Sequence, residues 1–404
     1  MRILLISYYF PPAGGAAVQR WLRLINYLVQ RGVEVGVICS KGGDYPFIDE
    51  SLMGKIPKTV RVIRCRAPRM SSIWKRVSGK DAELPYGDLA LPKRNLSSRL
   101  LVLLRLNLII PDLRVVWNPS AYRTALAELR RIHYDSIITT GPPHSTHLIG
   151  LALKRRTGIR WFTDFRDPWL GIHYLKLNPP WALSRYIHKR LEKLVLTNSK
   201  ANFIISEAIA EELPPARKIV LYNGFDPHDF AGLVHHQAPI LRLKYVGQLT
   251  AGQDLGWIVD FANLLQRETE ISLIGTKLSQ ADRAAAAGQF RLLDFVPHDQ
   301  ALQEMVDSDL LLLLVNEYEG NQGMLTTKLF EYLASRSPIL CIGPKDGAAA
   351  KVIMDTQSGQ CFAKDEIRAA AEWVNSLPEG QRTNGDISPY SVDNQVDILI
   401  KALK

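Results

Sequence analysis

Short apolar segments alternate with amphipathic helical patterns along most of the chain. A run of four to eight apolar residues closed by turn residues is typical of a buried strand, and apolar residues at every third or fourth position are typical of a helix. In the first half, residues 18–29 carry such a helical stripe, which Gly32 ends. The strands predicted in this half are residues 3–7, 33–39, 60–65, 136–140, 161–165 and 202–206.

The second half repeats this alternation. Its predicted strands are residues 243–247, 271–275, 292–296, 310–315 and 338–342, with helices such as residues 257–267 between them. Strands separated by helices of this length predict parallel sheets with right-handed crossovers. The chain is therefore predicted to be α/β, with two doubly wound domains that face each other across a cleft. We place their junction near residues 218–241, where turn signals cluster.

The composition fits this architecture. A length of 404 residues suggests two or three domains, and 47% apolar with 22% charged residues is ordinary for a soluble globular chain. Four cysteines without a CxxC pair are expected to be small buried residues in a reducing cytosol rather than metal ligands. No apolar run reaches the roughly 18 residues of a membrane-spanning helix. The apolar N-terminus is interpreted as a strand and not as a signal peptide, because a Pro-Pro-Ala-Gly-Gly turn follows it.

Charge is distributed unevenly along the chain. Residues 1–200 hold 33 basic and 13 acidic side chains, whereas residues 201–404 hold 17 basic and 27 acidic ones. This asymmetry indicates either an anionic partner for the first half or a solvated basic surface that attracts the acidic half. Nucleic acid, an anionic membrane and a phosphorylated lipid all fit the charge, but no helix-turn-helix, zinc or RNP motif supports nucleic acid.

Residues 96–108 form an apolar stretch with basic residues in and before it. Lys93, Arg94 and Arg99 would give a helix here a basic edge, which is typical of a helix that lies on a membrane surface. A core helix of an insertion explains the same pattern equally well, so both interpretations stay open.

Two candidate phosphate sites follow predicted strands. Gly14 and Gly15 stand between a strand and a helix, where a ligand can approach the backbone and the helix N-terminus attracts an anion. The pattern is neither GxGxxG nor a P-loop, which disfavours a nicotinamide dinucleotide and a P-loop ATPase. In the second half, Thr326, Thr327 and Lys328 begin a helix, and Glu331 lies on the same face as Lys328. The spacing alone fits a surface Lys–Glu pair better than a diphosphate site.

Two polar clusters also follow strands of the first half. Asp164, Arg166 and Asp167 end a buried strand, where charges are costly unless they are paired or used. They are expected either to form an internal Arg–Asp pair or to act on a substrate, by binding sugar hydroxyls or as a general base. A metal ion bound by the two aspartates is disfavoured, because the sequence shows no third ligand. His144 follows another strand, where it could be an acid, a base or an inert loop residue.

Taken together, these segments resemble glycosyltransferase family 4, the retaining sugar-nucleotide transferases of GT-B fold. The resemblance covers nearly the whole chain and is carried by YYFPPAGGAAVQR, TTGPPHSTHLIGLALKRRTGIRWFTDFRDPW, IVLYNGFDPHDF, LKYVGQLTAGQDL, TTKLFEYLASRSPIL and PYSVDNQVDILIKAL. The second of these is similar to a block of bacterial envelope-polysaccharide transferases. The resemblance implies an acceptor-side domain of residues 1–217 and a donor-binding domain of residues 218–388. It also implies that a closing helix of residues 389–404 packs back on the first domain.

The resemblance also implies roles for individual residues. Glu331 falls where the family binds the ribose of the donor. The positions implied for the donor nucleotide and its phosphates are Gly14, Gly15, Gly247, Gln248, Gln253, Thr326, Thr327 and Lys328. His144, Asp164, Arg166 and Lys328 are the implied catalytic groups, and no metal or cofactor is expected besides the donor.

Two departures stand out within this resemblance. Gln248 and Gln253 stand where the family usually has Arg and Lys, and Gly323 stands where it has a first motif glutamate. Glu317 and Glu319 lie just upstream of Gly323 but out of register. The resemblance therefore implies that more of the phosphate charge is neutralised by Lys328, Arg166 and backbone N–H groups.

The implied function is transfer of a sugar from a nucleoside diphosphate sugar to a lipid-linked or free saccharide in envelope polysaccharide biosynthesis. The implied location is the cytoplasm, at the inner face of the cell membrane. Two alternatives remain, a sugar-nucleotide 2-epimerase of the same fold and a non-catalytic sugar-nucleotide-binding protein.

Overall fold

The structure, a computed structural model, describes all residues except 70–102, 173–174, 177, 250–254, 277, 279–287, 289, 295 and 316–321. The chain divides into two compact units. The N-terminal unit comprises Met1–Tyr222 together with Val396–Lys404, and the C-terminal unit comprises Asn223–Gln395. The junction at Tyr222 falls a few residues beyond the boundary that the resemblance implies.

The N-terminal unit is built on a seven-stranded sheet in the order β3-β2-β1-β4-β5-β6-β7. All of its strand pairs are parallel. The strands are β1 (Arg2–Ile6), β2 (Glu34–Lys41), β3 (Arg61–Arg66), β4 (Ser136–Gly141), β5 (Arg160–Phe165), β6 (Ala201–Ile204) and β7 (Lys218–Val220). The helices are α1 (Ala16–Gln30), α2 (Asn118–Arg131), α3 (Ser145–Thr157), α4 (Ala182–Asn198) and α5 (Glu207–Glu212), with 3-10 turns at Glu50–Lys55 and Leu113–Trp117.

The C-terminal unit is built on a six-stranded parallel sheet in the order β10-β9-β8-β11-β12-β13. The strands are β8 (Leu241–Val246), β9 (Thr269–Ile274), β10 (Arg291–Leu293), β11 (Leu310–Leu314), β12 (Ile339–Ile342) and β13 (Gly359–Phe362). The helices are α6 (Leu255–Ala262), α7 (His298–Val306), α8 (Thr327–Ser335), α9 (Ala348–Asp355) and α10 (Ile367–Ser376), with 3-10 turns at Pro227–Phe230 and Ser388–Tyr390. The last helix, α11 (Val392–Leu403), begins in this unit.

The predicted α/β class and the two doubly wound sheets are confirmed. The apolar runs lie where strands were predicted, and β1, β4 and β11 are almost wholly buried. Two edge strands were not predicted. β7 is three residues long and half-buried, and β13 includes Gly359 and Gln360, so neither has the continuous apolar run that signals a buried strand.

The helix predicted over residues 257–267 ends earlier, because α6 stops at Ala262. Residues 103–108 are helical, but the rest of the predicted membrane stretch, with Lys93, Arg94 and Arg99, lies outside the described residues. The last residues of α11, from Val396, group with the N-terminal unit.

The contact of α3 with the first sheet depends on a glycine. Gly150 lies on the buried face of α3, and a Cβ placed there would be 2.1 Å from Trp161 Nε1 on β5. That indole donates a hydrogen bond to Thr139 Oγ1 on β4 at 2.9 Å and is fully buried. The backbone of α3 therefore packs directly against the Trp161 ring.

We expect Gly150→Ala to lower the free energy of unfolding by about 1–3 kcal/mol, because the added methyl group must displace a packed indole. On propensity alone, the same change inside a helix is favourable by about 1 kcal/mol. Urea unfolding followed by tryptophan fluorescence measures the difference. Gly54→Ala is the control, since no atom lies within 4 Å of a Cβ at that position. A Gly150→Ala protein as stable as the control would contradict this packing.

Candidate functional site

In the C-terminal unit, the residues that follow β8 and β9 are glycines, so the carboxyl ends of these strands carry no side chains. Gly247 follows β8 with φ +121°, and Gly275 follows β9 with φ +75°, both of which are conformations that favour glycine. A Cβ on Gly275 would lie 3.7 Å from Gly247 Cα. Thr276 Oγ1 donates a hydrogen bond to the Gly247 carbonyl at 2.7 Å. The two strand ends therefore form a floor without side chains at the edge where ligands of parallel sheets bind.

Lys328 lies over this floor. Its Cε and Nζ atoms are 3.0 Å from the position that a Cβ on Gly247 would occupy. Nζ donates a hydrogen bond to Tyr245 Oη at 2.6 Å and lies 4.1 Å from the centre of that ring. Burial lowers the pKa of Lys328 to about 8, so the ammonium form still predominates at neutral pH. The spacing alone suggested that Lys328 forms an exposed pair with Glu331. Instead, the lysine is held by Tyr245 on the neighbouring strand.

Thr326 is the N-cap residue of α8, but its side chain does not cap the helix. Its Oγ1 is buried and has no hydrogen-bond partner among the described residues. An uncapped helix start has positive potential and N–H groups directed outward, which suits an anion. Thr327, the first residue of the helix, lies next to it. The predicted phosphate-facing helix start therefore lies beside Lys328.

Glu331 contacts a histidine that the sequence did not single out. Its Oε1 lies 3.3 Å from His298 Nε2, and both side chains remain partly accessible. His298 is the first residue of α7, and the preceding Pro297 was the available sequence signal for a helix start after a strand. Tyr245 was also missed, because its place inside an apolar strand suggested only packing.

The positions of the two family departures are only partly described. Gln248 is exposed, and its Nε2 donates a hydrogen bond to the Leu249 carbonyl at 3.1 Å. Gln253, Glu317 and Glu319 lie outside the described residues. Gly323 is described and is buried in the turn before α8.

In the N-terminal unit, Gly14 makes room for an aromatic ring. A Cβ on Gly14 would lie 2.1 Å from Phe47 Cε2, and the Gly14 amide donates to the Phe47 carbonyl at 3.1 Å. Gly15 has φ +108° and is the N-cap residue of α1, which has no acidic residue in its first turn. The pair thus has local structural reasons to be glycine, alongside the ligand role that the resemblance implies.

Asp164 is the centre of a buried polar network. Its side chain is inaccessible and accepts hydrogen bonds from Arg20 Nη2 at 3.0 Å, Trp21 Nε1 at 2.8 Å and Thr140 Oγ1 at 2.7 Å. Arg20 also donates to the carbonyls of Leu221 and Tyr222. The Asp164–Arg20 pair therefore ties α1 to β4, β5 and the residues that follow β7. This geometry is that of the internal Arg–Asp pair, with Arg20 as the partner.

His144 and His147 belong to an aromatic stack at the carboxyl ends of β4 and β5. The His144 ring is stacked on Trp169 at 5.1 Å with 8° between planes, and His147 is stacked on Phe165 at 4.4 Å. Neither ring nitrogen of His144 has a hydrogen-bond partner in the described part of the chain. Burial, together with His147 and Arg166, holds the pKa of His144 well below 6.5, so the ring is neutral at pH 7. Burial and Arg166 lower the pKa of His147 to about 3.

Arg166 is the cation of this edge. Its Nη2 donates to the Pro142 carbonyl, and its amide donates to the Gly141 carbonyl. Its Nε is buried without a partner among the described residues. Burial raises the pKa of the neighbouring Asp167, and the Arg166 charge opposes that rise. The structure thus brings His144 and Arg166 together in this unit and Lys328, Thr326 and Glu331 together in the other.

Within the described ranges, no group of three or more His, Cys, Asp or Glu residues is placed to hold a metal ion. The same ranges contain no helix that is long and apolar enough to span a bilayer.

Solved structures share this fold along the full chain. Sucrose-phosphate synthase from Thermosynechococcus elongatus matches with a TM-score of 0.61 and 14% identity, over 100% of this chain and 94% of that one. The lipopolysaccharide outer core galactosyltransferase WaaB, in its apo form, matches with 0.60 and 13% over 100% and 99%. HepE (Alr3699) of Anabaena, solved in complex with UDP, matches with 0.59 and 14% over 100% and 99%. The two Rossmann-like sheets therefore define a protein of the GT-B class.

The family follows from the sequence model. The glycosyl transferase 4-like domain matches residues 14–224, which is more than half of the chain. The chain belongs to this family, as the motifs indicated. A search of curated proteins found no significant match.

We expect Asp164→Asn to destabilise the protein by about 3–5 kcal/mol, because Arg20 would keep a buried charge without its counter-ion. Urea unfolding measures the loss. The control is Asp397→Asn, which breaks the exposed pair with Arg31 and should cost less than about 1 kcal/mol. An Asp164→Asn protein of normal stability that has lost only its activity would show that the carboxylate acts in catalysis instead.

Proposed function

We propose that this protein transfers a sugar from a nucleoside diphosphate sugar to a lipid-linked saccharide, with retention of the anomeric configuration and without a metal or other cofactor. The observation that carries the proposal is the start of α8, where Lys328 and the uncapped Thr326 adjoin the bare floor of Gly247 and Gly275. A diphosphate is bound by a cation and free N–H groups together, and the start of α8 combines the two.

The roles of the C-terminal residues follow from charge development in the reaction. As the bond to the sugar breaks, negative charge grows on the leaving diphosphate, and fixed cations and N–H dipoles stabilise it. Lys328 supplies the cation, and α8 supplies the dipole. Glu331 accepts hydrogen bonds from the ribose hydroxyls, and His298 holds its carboxylate from the side.

The choice of a nucleotide donor has support from the structural neighbours. HepE was solved with UDP and with UDP-glucose, and TarM of S. aureus was solved with UDP. These structures are only 10–14% identical to this chain. They therefore suggest the class of ligand, and the nucleobase must be determined by experiment.

The acceptor is assigned to the N-terminal unit. His144 there is a neutral ring with unpartnered nitrogens, suited to a hydrogen bond with a sugar hydroxyl. Arg166 adds a positive charge for an acceptor phosphate. The excess of basic residues in the first half fits an anionic, lipid-linked acceptor at the cytoplasmic face of a membrane. Lys93, Arg94 and Arg99 remain the predicted basic edge for that face.

We expect UDP, GDP or ADP to bind with measurable heat in a calorimetric titration, and Glu331→Ala to weaken the preferred nucleotide roughly 10- to 100-fold. The reason is the loss of charge-assisted hydrogen bonds, worth about 1.5–3 kcal/mol, to the ribose. Glu372→Ala, an exposed change on α10, is the control and should leave the affinity unchanged. Equal affinities of the two variants would contradict the site.

Product analysis separates the remaining alternatives. A nuclear magnetic resonance spectrum of the glycoside formed in the presence of a chelator should show the anomeric configuration of the donor. An epimerised nucleotide sugar formed from donor alone would favour the 2-epimerase. Nucleotide binding without any turnover would favour the non-catalytic protein.

We also expect the affinity for the nucleotide to fall as the pH rises through about 8, by up to about tenfold per pH unit. Lys328 has a pKa of about 8 in the free protein, and a lysine loses its charge above its pKa. Lys328→Arg should bind with a flat profile to higher pH, since a guanidinium stays charged. If the wild type shows the same pH profile as the arginine variant, Lys328 does not bind the diphosphate.

A further inference from the structure

Helix α4 exposes a face on which basic side chains adjoin large apolar ones. Its residues are all described, and its exposed charged side chains are all basic, namely Arg185, Lys189, Arg190 and Lys193. The one acidic residue of the helix, Glu192, is buried on the opposite side. Among the side chains of α4 itself, the exposed cations therefore have no exposed acidic counterpart.

The first turns of the same helix expose large apolar groups. Trp181, the N-cap residue, is 52% exposed, Leu183 is 70% exposed and Tyr186 is 58% exposed. At 100° per residue, Leu183 and Tyr186 lie on the same stripe as Arg190 and Lys193. Arg190 lies over the Tyr186 ring at 5.9 Å.

A fourth apolar side chain extends this surface. Leu108 is 69% exposed and follows Asn107, which accepts a hydrogen bond from the Trp181 amide at 2.6 Å. Ser184 Oγ donates to the Asn107 carbonyl at 2.9 Å. Leu108 is thereby fixed beside the start of α4.

We propose that this face, defined by Leu108, Trp181, Leu183, Tyr186, Lys189, Arg190 and Lys193, docks the protein on an anionic lipid surface. Isolated exposed apolar residues are ordinary, but an apolar cluster continuous with unbalanced cations has the two components of interfacial membrane binding. Tryptophan and tyrosine prefer the headgroup region, and lysine and arginine gain from anionic headgroups. The proposal rests on the proposed function in one respect, namely that the acceptor is lipid-linked.

The test is co-sedimentation of the full chain with phosphatidylcholine vesicles that do or do not contain phosphatidylglycerol. We expect binding only to the anionic vesicles, and weaker binding as salt rises from about 0.1 M to about 1 M, where the screening length falls from about 10 Å to about 3 Å. Combined Lys189→Gln, Arg190→Gln and Lys193→Gln should weaken binding about 100-fold, since each basic side chain contributes about fivefold.

The matched control removes the same charge from another helix of the same unit. Arg123, Arg130 and Arg131 are exposed on α2, and their combined replacement by glutamine should weaken vesicle binding much less. Equal losses in the two triple variants would show that only the overall charge of the unit matters, which would overturn the proposal. Failure of the wild type to bind anionic vesicles would overturn it as well.

Insertion of the apolar part is tested by fluorescence. Lipids with brominated acyl chains should quench part of the tryptophan emission, and Trp181→Phe should remove that part. Unchanged quenching in the variant would contradict the insertion of this face at Trp181. Binding of the wild type to an acidic protein or to single-stranded DNA, but not to vesicles, would assign the face to a different occupant.

Nucleotide titrations on the same variants separate this proposal from the proposed function. The α4 triple variant should bind the nucleotide as the wild type does, since its changes lie in the N-terminal unit. Loss of vesicle binding with nucleotide affinity intact is the expected pair of results. If the wild type binds vesicles but no nucleotide, the docking face is supported and the proposed transferase function is contradicted.

Discussion

Parallel pairing of every strand is the constraint on which both units depend. Parallel strands must be joined by crossovers, and each crossover begins where a strand ends. The carboxyl ends of the strands and the starts of several helices therefore meet at one edge of each sheet. In the C-terminal unit, this places Gly247 and Gly275 beside the start of α8. In the N-terminal unit, it places His144 and Arg166 beside the ends of β4 and β5. The polar chemistry of the chain gathers at these edges because the sheet interiors are apolar.

The two units use this edge in different ways. The N-terminal unit fills part of it with a buried ion pair, in which Asp164 and Arg20 satisfy each other and Trp21 and Thr140 supply further donors. A buried charge is costly without such partners, and this pair fixes α1 on the sheet. The C-terminal unit instead leaves the strand ends without side chains, and its buried cation, Lys328, has a phenol and an aromatic face as neighbours. Burial lowers the pKa of this lysine, because it disfavours the charged form. An anionic ligand would favour the charged form and raise the pKa again.

The sequence alone was sufficient for the architecture, because continuous apolar runs and helical stripes report burial directly. It failed where burial is incomplete, as in the edge strands β7 and β13. Side-chain partners were less predictable. Periodicity tells which face of an element is buried but not what lies across from it, so Asp164 was paired in expectation with its neighbour Arg166, whereas its partner Arg20 is 144 residues away. Tyr245 and His298 were missed for the same reason. Lys328 and Glu331 were found, but their surface pairing was wrong, because each has a partner from another element.

The replacement of the usual loop cations by Gln248 and Gln253 changes how a diphosphate would be neutralised. Immobilising a long side chain when a ligand binds costs free energy. Lys328 is already packed against Tyr245 and against the Gly247 backbone on a helix fixed to the sheet. Part of that cost is therefore met when the protein folds, and the cation acts with the dipole of the same helix. One preorganised lysine in a partly buried site can offset two solvated loop cations, because electrostatic attraction strengthens as water is excluded. On the proposed function, Lys328 and the dipole of α8 carry the part of the phosphate neutralisation that Gln248 and Gln253 cannot supply.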